Sequence, residues 1–287
     1  MEKFSLKIIV ITAFLFISAY ATSQTYVYLD ENSKEISLKD FKKKCGNQLY
    51  KCLTYTKDSI ALSQVLYKYK FGKISPQEYE QLRKLLIKDA AIEIQPNKII
   101  VIKKYDKLYS YVNLPVGEKG SYNKRKIEVD SLNNVTSPLH RYSFNSYNFK
   151  KEVFDKIVSN WVMSISKCKE KYEEKFNVKI IHLHTENSTL EKEYINFKWL
   201  KDRGIFKNIF FTYPKLHNTL ILKPDGEYFL SNSNSNSNNN TEILKTLLKN
   251  SDWTTYRKDY EKSLYEISKG EGLFKHKPKR FYGQPCF

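Results

Sequence analysis

Glycine and proline are scarce, nine and eight in 287 residues. So few glycines leave little room for a glycine-rich phosphate cradle, and none occurs. No Gly-x-Ser-x-Gly elbow is present, which removes the usual signature of an α/β serine hydrolase. Arginine supplies only six of the 49 basic side chains. Bidentate reading of phosphates and guanines favours the arginine fork, so the formal charge of +18 does not point to nucleic-acid recognition. Abundant lysine, asparagine, isoleucine, tyrosine and phenylalanine together fit an AT-rich coding sequence, and the charge reads as a solvated surface. After residue 24 no apolar run approaches the ~20 residues of a membrane-spanning helix.

The start of the chain is different. Lys3 and Lys7 precede an apolar run, Ile8–Ala21, broken only by Thr12, Ser18 and Tyr20. Ala19-Tyr20-Ala21 then supplies the small-x-small pattern of a cleavage site, and polar Thr22-Ser23-Gln24 follows. This pattern predicts a secretory signal peptide over 1–24, with retention as an anchor the alternative. Cleavage would leave about 263 residues (287 minus 24) with a charge of +17, enough for a sizeable core. The expected location is exported: periplasmic, cell-envelope or extracellular, where cysteines oxidise. Four cysteines remain, and three pairings are possible. The short loop Gly46–Lys51 makes Cys45–Cys52 the first choice, with Cys168 and Cys286 paired or free.

Periodicity gives an element order. Thr25–Asp30 alternates as a short strand, and Ser37-Leu38-Lys39-Asp40 opens a short helix through Lys44. Val65, Tyr67, Tyr69 and Phe71 predict one strand stopped by Gly72. Ser75-Pro76-Gln77-Glu78 is a capping box, followed by the stripe Tyr79, Leu82, Leu85 and Leu86 to about Lys88. Lys98–Tyr105 reads as a strand buried on both faces, and Asn113–Ser146 as a long loop. Steps of three and four from Phe149 to about Lys175 predict a helix, Val178–His184 a strand, and Leu190–Asp202 a helix ended by Arg203-Gly204. Asn218–Lys223 and Glu227–Leu230 flank Pro224-Asp225-Gly226 as a hairpin. Ser231–Asn240 reads as a flexible tract, Thr241 as the cap of a last helical region with Ile243, Leu244, Leu247, Leu248 and Trp253, and the end as a basic tail.

The order strand, helix, strand, helix, hairpin, helix from Lys98 to about Lys269 is similar to a thioredoxin-like fold. Asn218–Tyr228 resembles the late hairpin of periplasmic thioredoxin-like proteins, and Val178–Glu186 that family's second strand. Tyr26-Val27-Tyr28-Leu29-Asp30-Glu31-Asn32 resembles the start of secreted Bacteroidetes-type proteins. The resemblance implies an α/β (α+β overall) protein: a thioredoxin-like central sheet flanked by helices over 96–270, with a long insertion at 113–148. A smaller N-terminal α+β segment at 25–95 precedes it, and a basic tail at 271–287 follows. Thiol-disulfide exchange needs two cysteines separated by two residues, and no Cys-x-x-Cys occurs. The equivalent stretch is Tyr105-Asp106-Lys107-Leu108-Tyr109, and the family's cis-proline position falls at His217, with Pro214 three residues early. Tyr105, Asp106 and His217 are therefore expected to line a degenerate active-site pocket.

Two other constellations carry possible chemistry. Cys168 continues the apolar stripe of its helix and is expected to be a buried structural thiol rather than a nucleophile. His182 and His184 alternate on a strand, so they share a face and could ligate zinc, with Glu186, His217 or His140 as further ligands. The expected function is non-catalytic binding or scaffolding in the cell envelope, with no cofactor and a protein or envelope ligand as partner. The alternatives are a thiol-disulfide oxidoreductase using atypical cysteines (Cys168 or Cys45/Cys52) and a zinc-binding protein.

Overall fold

The computed structural model describes residues 25–57, 59–105, 108, 111, 151–185, 192–195, 197–212, 216–232, 238–265 and 272–275. The expected leader at 1–24, the insertion 113–148, Pro214 and most of the basic tail lie outside the described residues. The protein is α+β, and the chain divides into two compact units, Met1–Tyr67 and Lys68–Phe287.

The first unit holds β1 (Thr25–Leu29), α1 (Leu38–Cys45), β2 (Tyr50–Lys57) and β3 (Ile60–Tyr67). Its sheet has the order β1-β3-β2, with β1 parallel and β2 antiparallel to the central strand. Ser37 starts α1 as its sequence suggests: the Ser37 side chain accepts the backbone N–H of Asp40 at 3.1 Å. Phe41 on the helix meets Tyr28 on β1 with ring centres 5.1 Å apart. The expected Cys45–Cys52 bridge is present and ties the last residue of α1 to β2.

The single strand expected through Val65–Phe71 is two strands in two units. β3 ends at Tyr67, the chain bends at Lys68–Tyr69, and β4 (Lys70–Lys73) pairs antiparallel with a strand far along the chain. Tyr69 breaks the alternation because its ring stacks on Phe229 at 5.8 Å. Gly72 does not stop the strand. It lies under the Tyr228 ring so closely that a Cβ would fall 2.1 Å from a ring carbon. The boundary read near residue 95 thus moves to Tyr67/Lys68, and β4 with the following helix belongs to the larger unit.

That unit continues with α2 (Pro76–Ala90), β5 (Ile99–Tyr105), α3 (Lys151–Lys175), β6 (Val178–His184), α4 (Lys192–Ile195), β7 (Trp199–Lys201), α5 (Ile205–Ile209), β8 (Thr219–Leu222), β9 (Glu227–Ser231), α6 (Asn238–Lys249) and α7 (Thr254–Tyr265). The Ser75–Glu78 capping box forms in both directions and starts α2. Six strands form one sheet in the order β4-β9-β8-β5-β6-β7. β5, β6 and β7 run parallel, while β8 is antiparallel to β5 and the β8–β9 hairpin extends the sheet to β4. Gly226 turns that hairpin at φ +85, a conformation glycine adopts without strain.

Alternation assigns the two faces. Ile100, Ile102, Ile181, Leu183, Leu220 and Leu222 form an apolar face covered by α2 and α5. The opposite face meets α3 through Phe154, Ile157, Val158 and Val162. At its far side Phe71 and Phe229 pack with Trp253 and Tyr260, placing α7 there.

The helix expected over Leu190–Asp202 does not form as one element. α4 is short, and Trp199–Lys201 pairs with His182–His184 as an edge strand. Arg203-Gly204 opens a helix instead of closing one. The Asp202 carboxylate accepts backbone N–H bonds from Gly204, Phe206 and Lys207 at 3.0, 3.2 and 2.8 Å, satisfying the amino end of α5. The Ser/Asn tract enters regular elements at both its ends. Ser231 closes β9, and Asn238–Asn240 form the first residues of α6, so Thr241 lies inside that helix and does not cap it. The last helical region is two helices, the second begun where Asp252 accepts the Thr254 N–H at 2.8 Å.

Candidate functional site

Parallel strands joined by a helical crossover present functional groups at their carboxyl ends. β5 and β6 end side by side at Tyr105 and His184. On the face turned to α3, the strand registers set two polar rows across the sheet. Trp199, His182, Lys103, Thr219 and Ser231 align in one. Lys201, His184 and Tyr105 align in the next, and the β5–β8 register carried two residues further puts His217 opposite Tyr105. The Lys104 N–H donates to the Asn218 carbonyl at 2.7 Å, which holds that continuation in place. Two of the three expected pocket residues, Tyr105 and His217, are therefore neighbours in register, and Asp106 lies outside the described residues.

Both are buried, as are His182, His184, Lys103, Thr219 and Ser231. The centre of the cluster is a hydrogen bond of 3.0 Å between the Tyr105 hydroxyl and His182 Nδ1. An aromatic wall encloses that pair. Trp161 from α3 and Trp199 from β7 meet the Tyr105 ring edge-on at 5.6 and 5.2 Å, and Phe197 meets His182 at 4.8 Å. Trp199 is itself fixed, because its Nε1–H donates to the Tyr194 carbonyl at 3.0 Å.

Burial sets the protonation states. His182, 1% exposed, has its pKa pushed down to about 3, first by burial and then by the charges of Lys103 and Lys169. Burial also raises the Tyr105 phenol well above its ordinary range. At neutral pH the pair is an uncharged phenol bonded to an uncharged imidazole. Such a pair orients rings but carries no charge for electrostatic catalysis. Nδ1 of His182 is occupied by Tyr105, while Nε2 is buried and has no hydrogen-bond partner among the described residues.

His182 and His184 do share a face, as their spacing requires, but among the described residues no three His, Cys, Asp or Glu side chains gather closely enough to hold a metal ion. Glu186 and His140 lie outside the described residues. Cys168 is not the buried thiol its helical stripe suggested: it is half-buried and disulfide-bonded. Cys286 lies outside the described residues. Neither of two surface clefts is lined by this cluster. One, walled by Leu85, Asp89, Arg203 and Ile205, opens on the apolar side of the sheet. The other, walled by Ile92, Glu93, Lys98, Glu173 and Lys179, sits at the opposite, amino end of β5 and β6.

Sequence reasoning had not joined Trp161, Phe197, Trp199, Lys103, Thr219 and Ser231 to the site. The available signal was parity. A strand buried on both faces that carries Lys103 and Tyr105 on one side must bury those polar groups together with whatever its neighbours place opposite. No protein-family model, curated protein or solved structure matches the chain.

Proposed function

We propose that the larger unit is a thioredoxin-like domain without a redox site, in an exported protein that binds or scaffolds a protein or envelope ligand and does not catalyse thiol exchange. The element order supports the kinship: a parallel β5–β6 pair joined through α3, then a β8–β9 hairpin antiparallel to β5, then a helix. The observation that carries the non-catalytic reading is the Tyr105–His182 pair. It occupies the carboxyl end of the parallel strands, buried and uncharged, where thiol exchange would require an exposed, readily ionised sulfur.

Insulin reduction by the purified full chain, with a thiol count on the native protein, tests the reading. The expected result is no turnover above the dithiol control. Turnover that disappears in Cys168→Ser or Cys45→Ser would overturn it. The zinc alternative draws on the unpartnered Nε2 of His182, and metal analysis decides it: a full equivalent of zinc, lost in His182→Gln, would establish that reading instead.

A further inference from the structure

We infer that the Cys45–Cys52 disulfide is a redox-sensitive latch on the first unit: the helix and sheet of that unit stay assembled only while the bond is oxidised. The described part of the unit runs only from Thr25 to Tyr67, a length at which a hydrophobic core alone is marginal. Its fully buried apolar side chains are few: Leu49, Tyr50, Ala61, Val65 and Leu66. No residue of β1 or α1 is fully buried.

What holds α1 to the sheet is correspondingly sparse. Phe41 touches Tyr28, and Lys44 donates to both carboxylate oxygens of Glu31 and lies 5.7 Å from the Tyr50 ring centre. The covalent bond is the firm connection. It joins the last residue of α1 to β2, whose pairing with β3 makes up most of the sheet. Both cysteines are half-buried rather than enclosed in a core.

Opening needs a dithiol reductant. One of its thiolates attacks a protein sulfur, breaks the S–S bond, forms a mixed disulfide and releases the other protein thiolate. Its second thiolate then displaces the remaining protein sulfur. The protein gains two electrons and two protons, and the reductant leaves as its own disulfide. The first unit is then complete only in an oxidising compartment, while the larger unit is built on its own extensive core.

Hydrogen exchange read by mass spectrometry on the full chain tests the latch. The states compared are the oxidised protein, the protein in a dithiol reductant, and a Cys45→Ser/Cys52→Ser variant kept oxidised so that the bond at Cys168 is intact. Amide protection in β2 and β3 is expected to fall roughly tenfold or more in both altered states, as loss of a short-loop disulfide implies. Protection in β5, β6 and β8 of the oxidised variant is expected to stay unchanged. Unaltered protection in β2 and β3, an equal loss in the larger unit of that variant, or a variant that does not fold at all would each overturn the inference.

Discussion

The two faces of the six-stranded sheet are built on different principles. Beneath α2 and α5 the inward positions are apolar (Ile100, Ile102, Ile181, Leu183, Leu220, Leu222 and Leu230, with Tyr228 beside them) until the carboxyl end of β5, where Lys104 sets its ammonium 5.7 Å from the Phe211 ring centre. On the opposite face β5 and β6 begin aliphatic and end in lysine, tyrosine and histidine, and the register sets Thr219 at the start of β8 and Ser231 at the end of β9 beside them, all buried. An apolar face is stabilised by area and packing alone. A face with buried polar groups is stabilised only as far as each group finds a partner, and costs free energy where one does not. The polar face is thus the one whose composition packing does not require, and its polar end is the place to look for function.

That contrast can be broken from either side. The largest effect is expected on the apolar face: Leu86→Ala, at a site 0% exposed, should destabilise the larger unit by about 3 kcal/mol in denaturant unfolding. If Leu86→Ala is nearly silent, the apolar face is not the main source of stability. The second effect belongs to the polar face and to pH. His182 has a folded pKa of about 3 against an ordinary 6.5, so the unfolded chain binds more protons between those values. Its contribution is complete above about pH 6.5 and is lost as pH falls toward 3, at up to about 1.4 kcal/mol per pH unit. Unfolding at pH 7 and pH 5 should differ by about 2 kcal/mol, and His182→Phe should flatten that difference. Carboxylates with lowered pKa, such as Glu78 and Asp252, lose their contribution only below about pH 4.5.

A smaller effect isolates the hydrogen bond. Tyr105→Phe keeps the ring but leaves His182 Nδ1 buried without its hydrogen-bond partner, and should cost about 1–2 kcal/mol. The smallest returns to the apolar face. Ser75→Ala removes the cap of α2, the helix that covers it, and should cost about 1 kcal/mol in the same unfolding assay.

These residues also show how far the sequence could be read. The capping box at Ser75, the doubly buried strand ending at Tyr105, the long helix to Lys175 and the Asp225-Gly226 hairpin were all legible, because each depends on local chemistry or on a long period. The edge strand at Trp199 was not. Three residues carry no period, and only pairing with His182–His184 makes them a strand. Arg203-Gly204 does not reveal which helix end it marks, because glycine serves both ends, and the deciding group, the Asp202 carboxylate, acts through three N–H bonds that spacing does not show. The shared face of His182 and His184 followed from alternation, but the wall around them comes from α3 and β7 and is a product of tertiary packing.

The central claim is that the Tyr105–His182 pair at the carboxyl end of β5 and β6 is closed off from solvent and uncharged. Following the His182 imidazole by NMR across pH 8 to 5 tests it most directly. The predicted result is a ring that stays neutral throughout, with one slowly exchanging signal that does not titrate. A titration midpoint near 6.5 would contradict it, because that value belongs to a hydrated imidazole at an open site.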